Sequence, residues 1–161
     1  LDEKVFCPYF GVGTVGKIKK MRVSGELRSY YEILLSMPDM KLMIPVGEVK
    51  DRGIRKLTTQ QKMEQVLKVL TERPPLNDWN SFNQQVRQKI KSSNLTEVAE
   101  ALRDLLRKKY EKELSWTERV LYKRALNIFA SELACVKGIT NEEAKEIIIK
   151  HFNKVNPPNP H

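Results

Sequence analysis

Residue character changes abruptly near position 57, and that break limits the possible folds more than any single motif. Residues 1–57 hold most of the glycines and many β-branched and aromatic side chains, the vocabulary of strands and tight turns. Residues 58–161 are rich in Leu, Ala, Glu, Lys, Arg and Gln, with apolar positions at helical spacing. A chain of 161 residues has room for two small domains. The break therefore predicts an all-β domain over 1–57, an all-α domain over 58–155 and a disordered tail over 156–161.

The first part resolves into short strands. Lys4–Cys7 is a brief apolar run closed by Pro8, and Gly11-Val12-Gly13 is expected to form a turn or bulge. Thr14–Val23 reads as a long strand ending at the turn Ser24-Gly25-Glu26. Over Tyr30–Met37, Tyr31, Ile33, Leu35 and Met37 share one face and Tyr30, Glu32, Leu34 and Ser36 the other. Pro38-Asp39 makes a turn, and Met40, Leu42 and Ile44 then alternate with Lys41 and Met43 until Pro45 interrupts. Four or five such strands are too few for a sandwich; a small, strongly bent SH3-like or Tudor-like barrel fits.

The second part predicts a bundle of about five helices. Thr58-x-x-Gln61, Asn94-x-x-Glu97, Ser115-x-x-Glu118 and Thr140-x-x-Glu143 each resemble a capping box, and Asn77 or Asp78 caps the remaining helix. The inward stripes are Met63, Val66, Leu67 and Leu70; Phe82, Val86 and Ile90; and Val98, Ala101, Leu102, Leu105 and Leu106. The fourth helix carries Val120, Leu121, Ala125, Ile128, Phe129 and Leu133, and the fifth Ala144, Ile147, Ile148 and Phe152.

Composition narrows the function classes. Hydrophobic residues at 40% and charged residues at 30% give a globular, soluble balance. No apolar run approaches the ~18 residues of a spanning helix, and Leu1-Asp2-Glu3-Lys4 does not open like a secretory leader. Lys and Arg number 29 against 20 Asp and Glu, a net charge of +9 that favours an anionic partner. Cys7 and Cys135 lie far apart and the histidines, His151 and His161, sit near the end, so no zinc site or disulfide framework is expected. Both cysteines read as reduced and structural, in a cytoplasmic setting.

Catalytic chemistry is poorly supplied, and the expectation is that this is not an enzyme. There is no His-Glu-x-x-His and no Gly-x-Ser-x-Gly. Gly11-Val12-Gly13 with Gly16 formally matches a dinucleotide fingerprint, but a β-like run follows where a helix is needed. Glu142-Glu143 belong to a helix's first turn, where they offset the macrodipole. Binding residues are better candidates. Met43 is either a soft contact on an edge strand that ends at Pro45 or a second layer of core. Trp79 is spaced with Phe82 and Val86 as a core residue would be, yet it also suits a rigid wedge at a helix start. Arg87, Lys89 and Lys91, then Arg103, Arg107, Lys108 and Lys109, form either a solvated face or a nucleic-acid surface. Trp116, beside the cap Ser115, is expected to pack.

Several runs together resemble the CarD/CdnL family of bacterial transcription regulators. In the first part these are Cys7-Pro8-Tyr9-Phe10-Gly11-Val12-Gly13-Thr14-Val15, Tyr30-Tyr31-Glu32-Ile33, Met43-Ile44-Pro45-Val46 and Gly53-Ile54-Arg55. The second part adds Asn77-Asp78-Trp79, Val98–Leu105, Leu114-Ser115 with Glu118-Arg119, and Glu132-Leu133-Ala134. The resemblance implies a Tudor-like domain that docks on a lobe of the RNA polymerase β subunit, with contacts at Met21, Arg22, Met43 and Ile44. It also implies a helical domain on promoter DNA at the upstream fork junction. There Trp79 would wedge into the minor groove and stabilise the open complex, with Arg87, Lys89 and Lys91 holding phosphates. Relatives usually carry two arginines soon after the tryptophan; here Asn80-Ser81-Phe82-Asn83-Gln84-Gln85 intervenes. No cofactor, metal, membrane or small-molecule substrate is implied, and the protein would sit with the nucleoid through polymerase. The competing reading keeps the Tudor-like module but has the helices bind another protein.

Overall fold

The structure is a computed structural model that describes residues 2–36, 40–72 and 81–155. Five strands, β1 (Lys4–Cys7), β2 (Gly11–Val23), β3 (Glu26–Leu35), β4 (Lys41–Pro45) and β5 (Arg55–Lys56), form one antiparallel sheet in the order β4-β3-β2-β1-β5. The helices among the described residues are α1 (Gln60–Val69), α2 (Phe82–Ile90), α3 (Leu95–Glu111), α4 (Trp116–Lys137) and α5 (Asn141–Asn153). The Tudor-like β domain followed by a helical domain is thus the architecture the residue patterns predict. The expected turn at Pro38-Asp39, the cap at Asn77 or Asp78 and the tail over 156–161 lie outside the described residues.

The sheet curls around a small core of Val5, Cys7, Ile33, Leu35 and Ile44. Its tightest turn joins β2 to β3: Ser24 and Gly25 both take positive φ, 53° and 81°, which matches the twist of a two-residue hairpin. Gly11-Val12-Gly13 is neither the turn nor the bulge expected of it. Those residues already belong to β2, and the register shift falls between Val15 and Ile18 instead.

β1 joins the two domains. Successive strand residues point to opposite faces, so Val5 and Cys7 enter the β core while Phe6, fully buried, enters the helical core. Beside it on β5, the Arg55 guanidinium lies 4.2 Å over the Phe6 ring. Arg55 also donates to both carboxylate oxygens of the fully buried Glu132 on α4, at 2.8 and 2.9 Å, and from Nε to the Ser93 carbonyl at 2.7 Å. Glu132 accepts a further hydrogen bond from the Thr58 backbone N–H at 2.8 Å. Because Thr58 is held in this seam, α1 starts one residue later than expected, with Thr59 as its N-cap.

The β1–β2 turn lies against α4. Val12 N–H donates to Ser131 Oγ at 3.1 Å, and that hydroxyl donates to the Ile128 carbonyl at 2.8 Å. The Arg124 guanidinium lies 4.4 Å over the Tyr9 ring. Gly11 has φ +84°, and a Cβ there would sit 2.6 Å from Ser131 Oγ. Only glycine suits both the backbone and the close approach.

α4 and α5 open with complete capping boxes, Ser115 with Glu118 and Thr140 with Glu143. Asn94 caps α3 through the Thr96 N–H, but Glu97 pairs with Ser92 rather than reaching back. Two expectations for α4 fail. Val120 and Trp116 are exposed, at 47% and 72%. The inward stripe runs through Glu118, Leu121, Ala125, Ile128 and Phe129. Trp116 stands about 140° around the helix from Leu121, too far to reach the core.

Candidate functional site

The sheet is attached to the helices through β1, β5 and the start of β2, which leaves the opposite margin open. Among the described residues β4 has β3 as its single neighbour in the sheet. Its outer edge therefore presents backbone donors and acceptors of the kind another strand can pair with. Pro45 closes that edge and Lys41 opens it.

Register decides which side chains accompany the edge. Met43 pairs with Glu32 and Met21 with Arg28, four residues apart on β3, so both methionines lie on the same outer face. Met21 is 42% exposed and Met43 is half-buried. The structure does not bring the other two candidate contacts to that face. Ile44 pairs with Tyr31 and is buried in the β core, so it can offer only backbone to a partner. Arg22 pairs with Leu27 on the reverse face of the β2–β3 arm.

Between the methionines lies a carboxylate held by two ammonium groups. Glu32 sits 2.7 Å from Lys19 Nζ and 3.4 Å from Lys41 Nζ. The hydrogen bond from Lys19, with Lys41 adding to it, holds the Glu32 carboxyl below its ordinary range despite partial desolvation. The outer face is thus apolar at the methionines and charge-compensated at its centre.

The helical candidates divide in a similar way. Arg87 and Lys91 are exposed one turn apart on α2 and line one open groove of about 510 Å³ with Ser81, Asn83, Gln84 and Gln88. Lys89 turns away toward α3, with its Nζ 4.0 Å from Glu100. Arg103 is buried, bonded to Asp104 and Glu72, and is no part of a solvated face. Trp79 lies outside the described residues.

Sequence reasoning passed over the exposure of Trp116. The usable signal was the phase of its helix: Leu121, Ala125 and Ile128 fix the inward direction, and Trp116 does not share it. Near it, burial pushes the Glu118 carboxyl up, but Lys108 and two Ser115 hydrogen bonds outweigh that and hold it below its ordinary value.

The remaining chemistry is structural. Burial pushes the Cys7 thiol up to about 11, far from a reactive thiolate, and Cys135 is exposed. Gly11–Gly16 run along β2 rather than into a helix. Glu143 serves the α5 cap. Among the described residues no three His, Cys, Asp or Glu side chains could hold a metal together, and no helix is long and apolar enough to cross a membrane.

Comparison with known proteins places two family descriptions on this chain. Residues 1–58 match the CarD-like/TRCF RID domain, and residues 62–149 match the CarD C-terminal domain. A relative from Bacillus subtilis (strain 168), "Putative transcription factor YdeB", is 29% identical over 147 residues, covering 90% of this chain and 96% of the relative.

Proposed function

The chain belongs to the CarD family of transcription regulators, which engage RNA polymerase, and on that premise we propose that it grips the polymerase with its β domain while its helical domain stabilises melted promoter DNA. The observation that carries the reading is the free β4 edge flanked on its outer face by Met43 and, further along, Met21. An edge strand supplies main-chain hydrogen bonds, and the adaptable methionines supply apolar contact beside it. The partner is a lobe of the β subunit, met by strand-to-strand pairing.

The helical domain then lies at the upstream fork junction. Arg87 and Lys91 share an exposed groove on α2 and suit phosphate oxygens, which fix position without reading sequence. Lys89, turned toward Glu100, is the weaker member of the set. Trp79, three residues before α2, wedges at the edge of the bubble. Stacking of an aromatic side chain on a base is worth roughly 1–3 kcal/mol, a change of about 5- to 150-fold in the open-to-closed ratio. Few phosphates are contacted, so DNA affinity of the free protein is low and polymerase tethering supplies the local concentration. The protein works in the cytoplasm as an accessory factor, without chemistry of its own.

The test is a polymerase pull-down with and without the β-subunit lobe, paired with open-complex lifetimes. Retention requires the lobe, and Trp79→Ala shortens the lifetime while leaving retention intact. Equal retention without the lobe, or an unchanged lifetime on a fork-sensitive promoter, rejects the corresponding half of the proposal.

A further inference from the structure

We propose that Trp116 forms a second nucleic-acid contact, with Arg119 and Lys123 as its phosphate-binding neighbours. The inference rests on the reading of the helical domain as the DNA-facing one, and it adds a surface which that reading does not use.

Trp116 is the most exposed of the large apolar side chains described, at 72%. An indole left in water gains nothing for the fold, since its burial is what would stabilise it. It is the first residue of α4, and Cβ vectors point back toward a helix N-terminus, so the ring projects past the end of the bundle. Trp116, Arg119, Val120 and Lys123 recur at i, i+3, i+4 and i+7, and all four are exposed. They make one solvent-facing stripe of aromatic, cation, aliphatic and cation.

Charge selects the occupant. Among the described residues Arg119, Lys123 and the nearby Lys112 have no ion-pair partner. The neighbouring carboxylates are mostly engaged: Glu111 faces Arg107 at 3.6 Å, and Glu118 is held by Lys108 and the Ser115 cap. Glu113 is the remaining carboxylate, against three cations. An open aromatic face beside uncompensated cations is the arrangement that binds bases and phosphates together.

Position sets the stripe apart from the basic groove. Lys108 lies 4.9 Å over the ring of Phe82, the first residue of α2, and also pairs with Glu118 in the first turn of α4. The starts of α2 and α4 therefore meet across α3, and Trp116, about 160° around α4 from Glu118, faces away from that junction. The stripe and the groove lined by Arg87 and Lys91 are thus two separate cation-bearing surfaces of the helical domain.

Two measurements test the inference on the full chain. In open-complex lifetime assays with polymerase, Trp116→Ala shortens the lifetime by about five-fold, the lower end of base–aromatic stacking. R119A/K123A does likewise, and polymerase retention and melting temperature stay as in the wild type. An unchanged lifetime for Trp116→Ala, where Trp79→Ala shortens it, overturns this inference and leaves the proposed function standing. If neither variant shortens it, the DNA-facing reading itself fails. In the second measurement, Trp79→Phe leaves Trp116 as the single tryptophan. Single-stranded oligo-dT quenches its emission, and added salt relieves the quenching. Quenching by poly-glutamate but not by oligo-dT overturns the inference in favour of an acidic protein partner.

Discussion

The two margins of the β sheet make opposite use of the same backbone chemistry. At the β1–β5 margin almost every exposed feature is consumed: Phe6 enters the helical core, Arg55 covers it, and Glu132 and Ser131 take up the polar groups. At the β4 margin the strand ends on a proline, and the neighbouring face keeps Met21 exposed. The covered margin fixes the orientation of the helical domain, so that a partner bound at the open one also positions the helices.

The strongest way to break this comparison is to attack the covered margin. Arg55→Ala leaves Glu132 buried with a single backbone donor, and stranding one member of a buried ion pair costs about 3–5 kcal/mol. Urea unfolding should record a loss of that order. A loss below about 1 kcal/mol would mean that the Arg55–Glu132 pair adds little to the seam beyond its other contacts. Smaller and more local is Gly11→Ala, where left-handed strain combines with a 2.6 Å approach to Ser131 Oγ, for a loss of about 1–3 kcal/mol. Gly25→Ala has a similar φ of +81° but open space around the new methyl, so it isolates the strain. Equal losses at the two glycines would show that the seam tolerates crowding.

What the residues revealed in advance follows from the range of the forces involved. Alternation over Tyr31, Ile33 and Leu35 and helical stripes such as Met63, Val66 and Leu67 are local periodicities, and they foretold both domain folds. The seam was hidden because its members come from distant parts of the chain. Arg55 and Glu132 each lie in a run that carries the family resemblance, but nothing in either run pairs them. Phe6 sits in a short apolar run, and alternation separates it from Val5 and Cys7 without telling what covers it. Among the candidate contacts, Met43 was correctly set opposite Leu42 and Ile44. Listing Ile44 beside it overlooked that same alternation, which sends the Ile44 side chain inward. Trp116 shares the phase of Val120, and both lie off the inward stripe set by Leu121, Ala125 and Ile128.

Met43→Glu sharpens the other side of the comparison. The new carboxylate would stand next to Glu32 on β3, and docking would have to strip its water. Polymerase affinity should fall by at least about tenfold, or roughly 1.4 kcal/mol, while the melting temperature stays close to the wild type, since Met43 is half-buried and outside the β core. Met43→Leu, which keeps an apolar contact, should bind nearly as well. If the Glu variant retains full affinity, the outer face is not the docking surface and the reverse face carrying Arg22 becomes the candidate.

The smallest effect expected is an acid-dependent one at the centre of that face. Lys19, assisted by Lys41, holds the folded Glu32 carboxyl below its unfolded value. A lowered folded value means that the unfolded state takes up its proton first as pH falls. The contribution is therefore fully present above the ordinary carboxylate range near 4.3 and is lost as pH drops through the folded value. Glu32→Gln should melt slightly below the wild type at pH 7, and the gap should close as pH falls below the ordinary carboxylate range through the lowered folded value. High salt at pH 7 should shrink the same gap, because both lysines are half in water. A gap that stays constant with pH would assign the difference to packing of the side chain rather than to its charge.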